Sequence, residues 1–198
     1  MRKPWIAISA LAVAVTSASA AEVYVVDRGR SEAKFEVRYF YQRIAGKMRD
    51  IHGGMVLDPA NPAASSVNFS ITVASLDTGS TGLNAQLRSA YVLDAAKFAK
   101  ISFQSTSITP TARMNVYQVT GELTLHGVTR SVTLPVELVR ILNDPGGLAR
   151  AWFLVRTTLN RKDYGITWNG VLDRASLLVG EEVKLTVNLV ASKKVATP

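Results

Sequence analysis

Residues 117–138 read YQVTGELTLHGVTRSVTLPVEL. Tyr117, Val119, Gly121, Leu123 and Leu125 occupy every second position, with Gln118, Thr120, Glu122 and Thr124 between them. Period two puts one set of side chains on each face of a strand, one dry and one wet. After His126-Gly127 a second set follows in Val128, Val132, Leu134, Val136 and Leu138. Two such runs joined by two residues, the second a glycine that accepts positive φ without steric cost, predict an antiparallel hairpin.

The same pattern recurs on both sides. Ala33, Phe35, Val37 and Tyr39 alternate with Glu32, Lys34, Glu36 and Arg38, and Val67, Phe69, Ile71 and Val73 form another set. Near the end Val183, Leu185, Val187 and Leu189 alternate with Lys184, Thr186 and Asn188. Shorter candidates at Val23 to Asp27, Gly54 to Leu57, Ile101 to Ser107 and Ala151 to Leu159 bring the expectation to about eight or nine strands. Helix is expected only at Leu83 to Ser89, where Leu83 and Leu87 share a face, with a further turn around Asp94 to Phe98. Asp58-Pro59, Asn61-Pro62 and Asp144-Pro145 mark turns. An all-β domain follows. Strands with one apolar face close it away from water either as two stacked sheets or as a barrel, and the pattern does not choose between them.

The chain begins with Met1, Arg2 and Lys3, an apolar run from Trp5 to Val15 that is too short to span a bilayer, and the small residues Ala18-Ser19-Ala20. Residues 1–20 are therefore expected to be a cleaved signal peptide and residues 21–198 a single domain exported to an oxidising compartment. The chain holds no cysteine, which removes disulfides and thiolate metal sites, so packing must supply the stability. The formal charge of +8 stays positive without Arg2 and Lys3 and suits anionic headgroups or an acidic partner; nucleic acid is not expected after export.

No catalytic centre is legible. The two histidines, His52 and His126, each adjoin a glycine, lie far apart and have no carboxylate at metal-ligand spacing. No serine sits in a Gly-x-Ser-x-Gly elbow, and neither Gly53-Gly54 nor Gly146-Gly147 joins a strand to a helix as a phosphate loop must. The densest polar cluster is Asn160-Arg161-Lys162-Asp163-Tyr164-Gly165. It reads either as a turn held by local charge pairing or as a rim where Arg161 and Lys162 meet an anionic headgroup. The expectation is a binding protein, without cofactor or metal, and not an enzyme.

Several segments together resemble the YceI-like family, the periplasmic polyisoprenoid-binding proteins. They are Ser31 to Val37, the Gly46 region, Ser75-Leu76-Asp77-Thr78-Gly79, Leu87-Arg88-Ser89-Ala90 with Asp94 and Lys97-Phe98, and Ile101 to Thr106. The most specific are Thr120 to Thr129 and Asn160 to Gly165 with the strands that follow. The resemblance covers nearly all of residues 21–198. It implies an eight-stranded antiparallel, lipocalin-like β-barrel with one or two short helices and an elongated apolar cavity for an isoprenoid chain. It also brings departures, since Arg30 stands where the family usually has histidine, and Gly82, Asn84, Ala85 and Gln86 replace a more acidic run. Tyr39, Asn84 and Gln86 would then offer neutral hydrogen bonds to a ligand head.

On this reading Phe35, Val37, Tyr39, Phe69, Ile71, Val73, Phe103, Val119, Leu123 and Phe153 line the tunnel. Leu83, Leu87 and Phe98 close one end, and Gln86 and Arg161 serve the head group. The expected ligand is an isoprenoid, quinone-like or other amphiphilic lipid, bound by a monomer or homodimer. The rival expectation is a secreted, stress-related interaction protein that docks to a membrane partner such as a di-haem cytochrome b.

Overall fold

The computed structural model of the protein describes residues 21–143, 148–168 and 179–194. The expected signal peptide, residues 1–20, lies outside them, as does the Asp144-Pro145 turn. Among the described residues there are ten antiparallel strands: β1 (Glu22–Val26), β2 (Glu32–Tyr39), β3 (Gln42–Met48), β4 (Ile51–Leu57), β5 (Ser66–Thr72), β6 (Lys100–Pro110), β7 (Val116–Leu125), β8 (Val128–Asn143), β9 (Ala149–Asn160) and β10 (Val179–Lys193). Among the described residues one α-helix, α1 (Thr81–Arg88), sits in the β5–β6 connection. The expected turn at Asp94 is present, with the Phe98 amide donating to the Asp94 carbonyl at 2.7 Å.

The sheet closes. Neighbours run β1-β4-β5-β6-β7-β8-β9-β10, and β10 pairs back to β1, which makes an eight-position barrel. The two extra strands come from division of one wall. Along its free edge β10 pairs first with β2, from Val179 opposite Tyr39 to Asn188 opposite Glu32, and then with β1, from Ala191 opposite Val26 to Lys193 opposite Tyr24. At the changeover the buried Ser31 hydroxyl accepts from the Val190 amide at 3.0 Å and donates to its carbonyl. The side chain thereby replaces the ladder bonds lost where β10 changes partner. Strand β3, not anticipated from sequence, pairs with β2 and lengthens the wall beyond β4.

Registry follows the alternation. Phe69 stands opposite Phe103, and Phe103 opposite Leu123, so the apolar sets of β5, β6 and β7 face the barrel interior together. The predicted hairpin is present with His126 at φ 51° and Gly127 at φ 75°, both left-handed, as a two-residue type I′ turn requires. The upper end of the barrel carries this turn, the β2–β3 turn, α1 and Arg161 to Tyr164. The lower end carries β1's start, residues 58–65 and the β6–β7 turn.

Candidate functional site

The core of the barrel is incompletely filled. An upper cavity of about 200 Å³ runs from Val37, Ile44 and Val183 down to Phe69 and Leu189, and its wall is almost wholly hydrocarbon. A lower cavity of about 170 Å³ continues to Tyr24, Leu57, Tyr117, Ile141 and Phe153. Phe69, Leu134, Val155 and Leu189 belong to both walls and form a waist between the two lobes. The Phe69 ring is stacked on Phe103 at 5.4 Å between centroids. The lobes therefore lie end to end along the barrel axis, the shape that a long, narrow apolar chain would fill.

Of the residues singled out in the sequence, Phe35, Val37, Phe69, Ile71, Leu87, Leu123 and Arg161 line the upper lobe. Phe103, Val119 and Phe153 line the lower one, with Phe69 common to both. Tyr39, Val73, Leu83, Gln86 and Phe98 line neither. Val73 is buried in the short 3-10 turn after β5, and Gln86 lies on the exposed face of α1. Asn84, the other proposed head-group contact, is turned away: its Oδ1 accepts from the Thr78 amide at 2.8 Å and hydroxyl at 2.7 Å. Phe98 packs edge-on against His126 and over Gly127. The upper lobe is instead covered by Leu76, Leu87, Val92 and Leu93 from the β5–β6 connection, and bounded by Ile166 and Trp168. Leu134, Val136 and Leu189 stood in alternating sets and so were visible in sequence; Ile44 and Met48 of the unanticipated β3 were not.

Arg161 is the only buried charged side chain among the described residues, 5% exposed. It does not stand on a solvent rim. Its Nε donates to the Gly180 carbonyl at 2.9 Å, Nη1 to Ile166 at 2.6 Å and Nη2 to Val179 at 3.1 Å, which ties the two sides of the β9–β10 connection together. Burial pulls its pKa below the ordinary arginine value, against the opposing effect of Glu181. Its neighbour Lys162 is partly exposed and pairs with Glu181. The 160–165 cluster is thus a locally paired turn that also places one cation on the cavity wall.

The lower mouth is different in charge. Glu22 and Asp58 stand on its wall; Glu22 accepts from Lys193 at 2.7 Å and from the Tyr24 hydroxyl at 2.9 Å, and these bonds hold its carboxyl below the usual range. Burial, helped by the Glu22 carboxylate, pushes the Tyr24 phenol up to about 12. A third depression, of about 320 Å³, lies on the outer face over Gly53 among His52, Ser70, Gln104 and Glu122; it is mixed polar and apolar and more open than either lobe. Among the described residues no three His, Asp or Glu side chains gather as a metal site would need.

Residues 24–191 match the family model described as the YceI-like domain. The chain belongs to the YceI-like family. It is 37% identical over 153 residues to protein YceI of Escherichia coli O6:H1, covering 76% of this chain and 78% of that protein. A UPF0312 protein of Vibrio cholerae is 35% identical over 170 residues, 84% of this chain and 89% of its own. Among solved structures, this YceI-like barrel resembles Burkholderia cenocepacia BcnA with a TM-score of 0.73 at 25% identity, over 83% of this chain and 98% of that one. It also resembles a polyisoprenoid binding domain from Saccharophagus degradans, implicated in plant cell wall breakdown, with a TM-score of 0.66 at 15% identity over 86% and 98%.

Proposed function

We propose that this YceI-like protein is an exported, periplasmic carrier that holds the chain of a long isoprenoid, a quinone-like molecule or a related amphiphilic lipid inside the barrel. The observation that carries this reading is the pair of apolar lobes that lie end to end and share the wall residues Phe69, Leu134, Val155 and Leu189. Binding of polyisoprenoid by the Saccharophagus degradans domain of the same fold supports it, and the cationic, then apolar, then small-residue pattern of residues 1–20 supports export.

The energetics are favourable. Burial yields about 0.8 kcal/mol per CH₂, so an isoprene unit contributes on the order of 3 kcal/mol after allowing for its unsaturation. Association costs about 4 to 15 kcal/mol, so a few buried units suffice and the tail supplies affinity. The positive charge of Arg161 on the upper wall favours a head group rich in acceptors or negative charge at that end, whereas at the other end Glu22 is paired with Lys193 and Asp58 adds a further carboxylate.

The test is native mass spectrometry of the protein from its own host, followed by organic extraction of anything released. A stoichiometric prenyl lipid or quinone is expected. An apo mass that stays unchanged after incubation with such lipids would overturn the carrier reading and favour docking to a membrane protein such as a cytochrome b.

A further inference from the structure

We propose that the β2–β3 hairpin tip is a membrane anchor that seats the upper end of the barrel on an anionic phospholipid bilayer. Tyr39 pairs with Gln42, leaving Phe40 and Tyr41 as a two-residue turn. Their side chains stand in solvent, 51% and 91% exposed, and their rings pack edge-on with centroids 4.3 Å apart. The headgroup region of a bilayer favours such aromatic side chains, and tyrosine especially, because the ring is apolar and its hydroxyl stays hydrated.

Two local conflicts mark the tip as more than a connection. Phe40 has φ 54°, a left-handed conformation that a bulky side chain rarely adopts. Turns with positive φ at the first central position take glycine there by preference, so the sequence accepts strain in order to display a phenyl ring. One rung below, Arg38 stands directly opposite Arg43. Like charges facing each other across an antiparallel pair repel, and although Arg43 reaches Glu36 at 2.6 Å, Arg38 is exposed at the same level. Lipid phosphates would relieve that repulsion.

Position suits the task. On β2 and β3 the last rung of the upper lobe is Val37 opposite Ile44, and on β10 its wall reaches Val179, opposite Tyr39, so the tip extends one to three residues beyond the lobe, at most roughly 10 Å at strand rise. Elements that lie in the bilayer interface bury their apolar side about 5–10 Å deep. Insertion of Phe40 and Tyr41 would therefore bring the cavity's upper end to the membrane surface, which adds to the carrier reading a place where its ligand is exchanged. The opposite end also exposes apolar side chains, Met114, Val139, Ile141 and Leu142, but none of them is aromatic, and its mouth carries Asp58 beside the Glu22–Lys193 pair.

The experiment is flotation of the protein with vesicles of phosphatidylcholine alone and of phosphatidylcholine with phosphatidylglycerol. Wild type is expected to float with the anionic vesicles and to be released by salt. Phe40→Gly/Tyr41→Ser, which supplies the residues the turn prefers, is expected to keep or raise the urea midpoint while vesicle affinity falls about tenfold. Val139→Ser/Leu142→Ser at the lower end, which touches neither lobe, is expected to float as wild type does. Unchanged flotation of the tip variant, loss only in the lower-end variant, or binding that requires a membrane protein in the vesicles would each overturn the proposal. Binding of a fluorescent prenyl probe without vesicles separates the two readings: equal binding by wild type and the tip variant is expected, and failure of both to bind it would overturn the carrier while leaving the anchor tested by flotation alone.

Discussion

The ring of Phe35 lies against the backbone of Gly46, its cross-strand partner, so closely that a β-carbon at position 46 would stand 2.5 Å from Cζ. The glycine gives the ring room at the wall and so keeps it out of the upper lobe, which it lines. Phe103 uses Gly121 in the same way, but there a β-carbon would also strike backbone atoms of Gln104 and Ser105. At Gly46 the closest obstacle is a side chain that can swing, and the nearest backbone atom, the Asp77 carbonyl oxygen, would lie at 3.0 Å and need give only slightly. Gly46→Ala is therefore expected to fold, to move the Phe35 ring inward and to weaken a long prenyl probe about tenfold. Circular dichroism and a fluorescence titration check this; an unchanged affinity would show that the ring's place does not set the room in the lobe.

Arg161 holds together the two sides of a long connection through carbonyls of Ile166, Val179 and Gly180. Arg161→Met keeps most of the apolar stem and removes every donor. A buried acceptor deprived of its partner costs about 1–3 kcal/mol, so a loss of at least about 2 kcal/mol is expected in urea unfolding. Arg161→Lys should recover only part, because a single ammonium cannot reach three carbonyls set around a planar fork. A loss below about 1 kcal/mol for the methionine variant would rule out the clamp.

The alternation made the all-β architecture legible because each strand with one dry face repeats the same signal, while the choice of a barrel over stacked sheets came from the family resemblance, and the hairpin at His126-Gly127 was readable from turn chemistry alone. Strand β3 was not, since Gln42, Arg43, Ala45, Gly46 and Lys47 dilute the apolar pattern and Gly46 is there for Phe35 rather than for strand propensity. Inward-facing residues could be listed from period two, yet whether they fill the core or border a space depends on the closed ring, which no local pattern reports. Gln86 and Asn84 were misplaced for a related reason. Resemblance put them near a ligand head, whereas the helix start turns Asn84 back to Thr78 and points Gln86 to water.

Tyr24 predicts an alkaline limit to stability. Its phenol is raised from 10.0 to about 12 in the fold, by burial first and by the Glu22 carboxylate second. The folded state therefore keeps its proton where the unfolded chain has begun to lose it. The stabilisation is whole below pH 10 and declines as pH rises through about 12. Urea unfolding between pH 9 and 12 is expected to show a steeper fall for wild type than for Tyr24→Phe, which cannot titrate there. Parallel profiles would mean that Tyr24 ionises alike in both states.

The waist decides whether the two lobes serve one ligand. Phe69, Leu134, Val155 and Leu189 are shared by both walls, and Val155 is buried. A chain that threads the waist gains about 0.8 kcal/mol for each further CH₂ it buries, so affinity should climb with the number of isoprene units past the point where the upper lobe is full. Val155→Phe adds a ring at this shared level, at an overpacking cost of about 1–3 kcal/mol that the barrel should survive. The variant is expected to bind short prenyl chains as wild type does while its gain with chain length stops early. Phe69→Ala, which widens the same level, is expected to favour longer chains. If Val155→Phe follows chain length as wild type does, the lobes bind separately, because a single threaded chain has no path around a filled waist.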